Sequence, residues 1–270
     1  MSGLTLRLKA PATERINLDG ITPAKLASLA AHEIARLNVG IEKNGLTLGD
    51  AFEISGSPSE TLTIEGSGAA LDFVGGGLDG GTIRVVGNVG AYTGRKMSGG
   101  KLEVRGNAGN FLASGMTGGT IHISGNAGDN AGGFIPGDRF GMLGGVAVVG
   151  GNIGARAGEK MRRGTIIVKG KTGENAGTRM IGGTIWAEGG IGPLPGLMMR
   201  RGTLIGPSVD SLLPTFVDCG KHDLVIVRIM SRYFKSTLGD LAPKPMPLFV
   251  QKIGGDTAAI GRGEILLPAN

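Results

Sequence analysis

The sequence predicts a mainly β chain, a parallel single-stranded β-solenoid (β-helix) of about eight coils, with an N-terminal α/β cap and a partly helical C-terminal tail. Three observations predict it. Glycine recurs at fixed offsets, apolar residues alternate with period two after each recurrence, and methionine returns at one offset. A copy of about 19 residues cannot bury its own apolar face. Stacking copies at the ~4.8 Å strand spacing lets each backbone pair with the next and like side chains fill the middle.

From the N-terminus, LTLRL (residues 4–8) reads as a strand. Thr22 and Pro23 carry the signature of a helix start, a side-chain cap followed by proline in the first turn. The helix is expected through 24–37, with Leu26, Leu29, Ala30, Ile34 and Leu37 on one face. FEISG (Phe52–Gly56) reads as a capping strand. ETLTIEG then opens a less regular coil, with Leu62 and Ile64 in strand roles and Leu78 where later copies place Met.

The array proper is anchored on Gly81, Gly100, Gly119, Gly145, Gly164, Gly183 and Gly202, spaced 19, 19, 26, 19, 19 and 19 residues. Two and four residues on stand Ile83/Val85, Leu102/Val104, Ile121/Ile123, Ala147/Val149, Ile166/Val168 and Ile185/Ala187. This alternation marks a strand with one buried face. Sixteen residues after each of the first six anchors, counted past a seven-residue insertion, come Met97, Met116, Met142, Met161, Met180 and Met199. Six of ten methionines share one position, which predicts an internal ladder. Asn88, Asn107, Asn126 and Asn152 follow a corner glycine, where Asn tolerates left-handed backbone. Gly202–Gly206 closes the series, and after Pro207 the pattern stops; the tail is expected to be helical around 222–234. The predicted divisions are 1–57, 58–206 and 207–270.

The 53 glycines among 270 residues lack a three-residue period, which excludes collagen, and 40% hydrophobic residues argue against disorder. A single cysteine, Cys219, excludes an internal disulfide and suits a reducing compartment. Residues 1–15 lack the long apolar run expected of a secretory signal, and no span of 18 apolar residues occurs in the sequence. These features read as a soluble cytoplasmic protein with no membrane role.

Between the two buried strand positions one side chain must point outward. That row reads Arg84, Glu103, His122, Val148, Ile167, Trp186, Ile205, polar and then apolar. An apolar stripe formed by Val148, Ile167, Trp186 and Ile205 needs a cover, either the tail or a separate partner protein. Charge is also uneven. Arg95, Lys96, Arg139, Lys160, Arg162, Arg163, Arg179, Arg200 and Arg201 gather around the Met corner, opposed by Asp138 and Glu159. Such a ridge attracts anions. A solvated face that keeps the protein soluble, an acidic protein partner or an anionic cofactor tail each fits it; nucleic acid fits poorly, because no aromatic is interleaved for stacking.

No catalytic constellation stands out. Gly94 is followed by Arg95, Lys96 and Met97, which breaks the Gly-Lys-hydroxyl order of a phosphate-cradling loop. His32, His122 and His222 fall in separate segments, and Cys219 with His222 lacks a second ligand pair. No Asp recurs as a calcium nonapeptide repeat requires, and the row Thr82, Thr120, Thr165, Thr184, Thr203 reads as strand entry.

The unit G-x-x-G-x-x-x-G-x-x-M-x-G-G, as in Gly87–Gly100 and, with Arg163 for one glycine, Gly151–Gly164, resembles the GXGXG β-solenoid family. That family includes the C subunit of formylmethanofuran dehydrogenase and the C-terminal domain of the glutamate synthase large subunit. LGDAFEISG (Leu48–Gly56) and LLPTF (Leu212–Phe216) look like the dehydrogenase branch, and most like its counterpart in bacterial formyltransferase/hydrolase complexes. The resemblance implies a non-catalytic scaffold in one-carbon metabolism and formaldehyde oxidation. It implies a hetero-oligomer with three kinds of sibling: an amidohydrolase type, a formyltransferase type and one like the B subunit of the dehydrogenase. Zinc is expected only on the amidohydrolase-type sibling. In that assembly a formyl group passes from tetrahydromethanopterin to a methanofuran-like carrier and leaves as formate. The carrier's glutamyl tail is anionic, so Arg95, Lys96, Lys160, Arg162, Arg163, Arg179, Arg200 and Arg201 become candidates to hold it. The C subunit of an archaeal molybdenum or tungsten formylmethanofuran dehydrogenase, and a glutamate-synthase-like module, remain open alternatives at this point.

Overall fold

The computed structural model describes residues 3–10, 14–40, 45–66 and 70–269. Elements follow in chain order as β1 (Leu4–Leu8), β2 (Ile16–Asn17), α1 (Pro23–Ala27), α2 (Ala31–Ala35), α3 (Leu48–Ala51), β3 (Phe52–Ser55), β4 (Thr61–Glu65) and β5 (Leu71–Asp72). The repeats supply β6 (Thr82–Val86), β7 (Lys101–Arg105), β8 (Thr120–Ile123), β9 (Leu143–Val149), β10 (Arg163–Val168), β11 (Thr184–Ala187) and β12 (Arg201–Ile205). The tail adds β13 (Val217–Asp223), α4 (Val225–Leu238), β14 (Phe249–Gly255) and β15 (Arg262–Pro268).

One large, mostly parallel sheet runs β13-β14-β15-β12-β11-β10-β9-β8-β7-β6-β4-β1-β3. From β6 to β12 the register places equivalent repeat positions opposite one another, as in Ile83↔Leu102, Leu102↔Ile121 and Ile166↔Ile185. Away from the strands the corners also bond copy to copy. Tyr92 N–H donates to the Asn110 carbonyl (2.8 Å), Lys96 N–H to Ser114 (3.0 Å) and Thr117 N–H to Met97 (2.8 Å). A second line of parallel bridges joins Ala108, Ala127, Ile153 and Thr172.

All six ladder methionines are fully buried. The methyl ends of Met97, Met116, Met161 and Met180 lie under anchor glycines. A Cβ on Gly119, whose φ is +84°, would sit 2.6 Å from Met97 Cε and 2.6 Å from the Gly99 carbonyl oxygen. One on Gly183 would sit 2.9 Å from Met161 Cε. The anchors are therefore glycine for two reasons: a left-handed backbone and no room for a side chain.

The asparagine column works differently from the sequence expectation. Asn88, Asn107, Asn126 and Asn152 are absent from the positive-φ residues. Their side-chain oxygens instead accept the backbone N–H of the next copy, at 2.8 Å from Asn107, Asn126, Asn152 and Lys171 respectively. Each Asn replaces a ladder bond at a corner where the backbone cannot make one. Left-handed geometry falls elsewhere, on Lys96, Lys160 and Arg179 (φ +52° to +53°) and on the half-buried stack Phe73–Tyr92–Phe111, whose centroids lie 4.7 and 5.3 Å apart.

The expected single helix over 24–37 is two single-turn helices, α1 and α2. Thr22 Oγ1 accepts from Lys25 N–H (3.4 Å), and Pro23 opens α1 as anticipated. Ser28 Oγ then donates back to the Lys25 carbonyl (2.8 Å), and the Glu33 carboxylate accepts the Ala30 N–H (2.7 Å). These side chains satisfy helix-end groups in mid-segment and split the helix. Leu26 and Ile34 still reach the core, but Ala30, at the break, is exposed.

The tail departs furthest from expectation. Its helix is α4, which starts three residues later than expected, after a strand over Val217–Asp223. Gly202–Gly206 does not close the series, because β15 pairs parallel with β12 (Gly202↔Gly263, Leu204↔Ile265) and acts as a further rung. A Cβ on Gly263 would sit 2.6 Å from Met199 Sδ, the anchor role once more.

Candidate anion-binding site

The outward apolar row lies under the tail. Val148, Ile167, Trp186 and Ile205 are buried and pack with Val227 and Phe234 of α4, Val250 of β14 and Leu266 of β15. Trp186 meets Phe234 edge-on, with centroids 6.2 Å apart at 79°. The polar half of the row stays open. Lys101 (2.6 Å) and Arg84 (3.1 Å) pair with Glu103 and hold its carboxyl below the usual carboxylate range. Next in the row, burial pushes the His122 imidazole below its ordinary pKa.

This packing leaves the Met corner as the charged edge. The seven-residue insertion forms a loop there, pinned to the following copy by Phe134 N–H to the Glu159 carbonyl and Gly141 N–H to the Lys160 carbonyl (both 3.1 Å). Across the corner, the turn after β14 is fixed by Asp256. Its buried carboxylate accepts from the backbone N–H of Met198 and of Ala258, both at 2.9 Å. Burial alone would raise the Asp256 pKa, but the hydrogen bonds outweigh it and hold the carboxyl below its ordinary value.

Between the insertion and this turn lies an open cavity of about 630 Å³. Four cations line it: Arg139 from the insertion, then Lys160, Arg179 and Arg200 from successive copies. Its apolar lining is Phe140, Ile181, Met198, Ala259 and Ile260. The left-handed backbone at Lys160 and Arg179 turns both residues out at the corner. Arg139 and Arg162 both lie over the Phe140 ring (5.0 and 5.1 Å), and Lys160 sits 3.7 Å from the Phe134 centroid. Aromatics are therefore interleaved in the ridge, contrary to the sequence expectation, because the insertion brings Phe134 and Phe140 against it, and their faces orient the cations without neutralising them.

The eight cations named from sequence thus divide. Lys160, Arg179 and Arg200 share the cavity, and Arg162 stands at its margin on Phe140. Arg95 and Lys96 instead pair with Asp138 (3.3 and 4.0 Å). Arg163 and Arg201 begin β10 and β12 and do not line the cavity; Arg262 lies in register beside Arg201. Sequence reasoning missed the wall from Ala259 and Ile260, since nothing in the tail's own pattern places it against the repeats. Glu159, counted as opposing the ridge, is buried and paired with Arg156 (3.1 Å). Cys219 and His222 meet only through the backbone, His222 Nε2 lying 2.9 Å from the Cys219 carbonyl oxygen. Among the described residues no cluster of three metal-ligating side chains occurs, and no helix is long and apolar enough to cross a membrane.

No family model matches the chain. A curated relative, the C subunit of the formyltransferase/hydrolase complex Fhc of Methylorubrum extorquens, is 54% identical over 265 residues, 98% of this chain and 99% of that one. The chain belongs to the C-subunit family of formyltransferase/hydrolase complexes. A chain in the crystal structure of the FhcABCD complex from Methylorubrum extorquens with methylofuran superposes with a TM-score of 0.90 at 44% identity, covering 98% of this chain and 100% of that one. Family membership accounts for the stacked copies and the tail together, since the match runs over nearly the full length of both.

Proposed function

We propose that this member of the C-subunit family is the non-catalytic scaffold of a cytoplasmic formyltransferase/hydrolase complex. Its repeats wind as a β-solenoid between an N-terminal cap (1–57) and a C-terminal segment (207–270) whose last strand, β15, adds a further rung, and its sibling subunits carry the formyl transfer and hydrolysis. Its basic corner holds the anionic glutamyl tail of a methanofuran-like carrier. The observation that carries this reading is the cavity where Arg139, Lys160, Arg179 and Arg200 surround an apolar lining. Three of these cations come from successive copies, so they form a row along the rod rather than a pocket for one small ion. A polyanion lying along that row meets several charges at once, and the apolar lining suits the carrier's uncharged parts. Support also comes from the crystal structure of the related complex, which contains methylofuran.

The test is Lys160→Glu, Arg179→Glu and Arg200→Glu combined, in the complex co-expressed with its siblings, with bound carrier measured after purification. Exposed ion pairs contribute ~0.2–1 kcal/mol each and reversal adds repulsion, so retention should weaken by about a hundredfold at low salt. It should differ less from wild type at high salt. Equal retention at both salt concentrations overturns the assignment of the ridge. Loss of a sibling, with or without carrier, would show instead that the ridge docks protein.

A further inference from the structure

Helix α4 has two apolar faces, and only one is used. Val227 and Phe234 point into the cluster over Trp186. Val225, Ile226, Ile229 and Tyr233 are each more than half exposed, as are Leu248 and Phe249 at the start of β14. Asp223 pairs with Phe249 across β13 and β14, directly before α4 begins, so these residues gather beside the helix's first turns. A contiguous apolar surface of this kind, facing solvent, marks an interaction site.

The surroundings select the partner. Arg228, Arg232, Lys235 and Lys244 border the stripe, and the helix itself contains no acidic residue. Asp223 neutralises Arg228, and Asp240 approaches Lys235 at 3.6 Å. Arg232 and Lys244 have no ion pair among the described residues. Both line, with Lys235 and one carboxylate, Asp240, a cavity of about 520 Å³ at the C-terminal end of α4, where cations outnumber carboxylates three to one. A second copy of this chain would bring one cationic border against another, which charge disfavours.

We propose that this face of α4 docks a different protein chain, through an apolar surface of that chain rimmed by carboxylates, one of which enters the cavity between Arg232 and Lys244. The inference rests on the proposed function in taking that chain to be a sibling in the complex. It is separate from the basic corner, which serves the carrier.

The test uses the full chain titrated against the co-expressed remaining subunits. Ile229→Glu should weaken assembly by about thirtyfold, the size expected for a central interface anchor. Arg232→Glu with Lys244→Glu should weaken it too and flatten its dependence on salt. Both sets alter exposed side chains, so the melting temperature of the free chain should match wild type, which separates lost docking from misfolding. Wild-type assembly in both variants overturns the docking face and leaves the proposed function standing. A wild-type chain that joins no sibling overturns both. Self-association of the free chain, or binding to phosphatidylserine vesicles, abolished by Ile229→Glu, would assign the face to a second copy or to a membrane and also overturn it.

Discussion

Trp186→Ala tests whether the tail is held by the repeat stack. Trp186 is 2% exposed and is the only tryptophan in the chain. A buried indole removes about 200 Å² from water, worth about 5 kcal/mol at ~25 cal/mol per Å². Alanine keeps a little of that burial and leaves a cavity, so the expected loss is about 3–5 kcal/mol. With an unfolding slope near ~3 kcal/mol per molar urea, the midpoint should fall by about 1.3 M. The same variant should expose residues 207–261 to protease before the repeats unfold. Phe234→Ala should red-shift the emission of Trp186, and a double-mutant cycle between the two should show coupling of about 0.5–1.5 kcal/mol. A midpoint shift below about 0.3 M, with the tail still protected, would refute the idea that this contact anchors α4.

Three further outcomes follow from the geometry. Gly119→Ala forces a left-handed alanine against the Gly99 carbonyl and Met97 Cε, and should cost about 2 kcal/mol or more in chemical denaturation. The native Asp256 pKa is lowered, so its contribution is complete above the unfolded value of ~3.9 and is lost as pH falls through the lower native value. Asp256→Asn should flatten the acid limb of the stability-versus-pH curve. His122 is also lowered, by burial, so stability is full above ~6.5 and declines as pH falls toward the native value. Melting temperatures between pH 7 and pH 5.5 should fall less in His122→Gln than in wild type.

The repeat lattice was legible because every copy solves the same packing problem with the same residues: glycine where Met97 needs room, aliphatics at alternate strand positions, Met at the corner. The roles of Asn88 and its equivalents were not, since side-chain bonding to the next copy and left-handed backbone leave the same residue in the same place. The helix break at Ser28–Ala30 was hidden because local hydrogen bonds overrode an apolar period that spans it. The tail's last rung carried a signal that periodic counting passed over. Arg-Gly, one further residue and then a run of consecutive apolar residues occurs at Arg163, Arg201 and Arg262, but the third copy lies outside the 19-residue spacing. Of the basic ridge, the sequence placed the cations along one edge. Which of them share a cavity depended on Ala259 and Ile260, brought there by long-range topology.

Because β15 takes its place in the lattice directly beside β12, everything from Pro207 to Gly261 is topologically an excursion between two adjacent rungs. Its two ends are set in register at Gly202 and Gly263, so its length can change without altering the lattice spacing, provided that it still covers Val148, Ile167, Trp186 and Ile205. A chain organised this way can vary the excursion as a unit, the regular part holding the register and the excursion presenting its own outer surface.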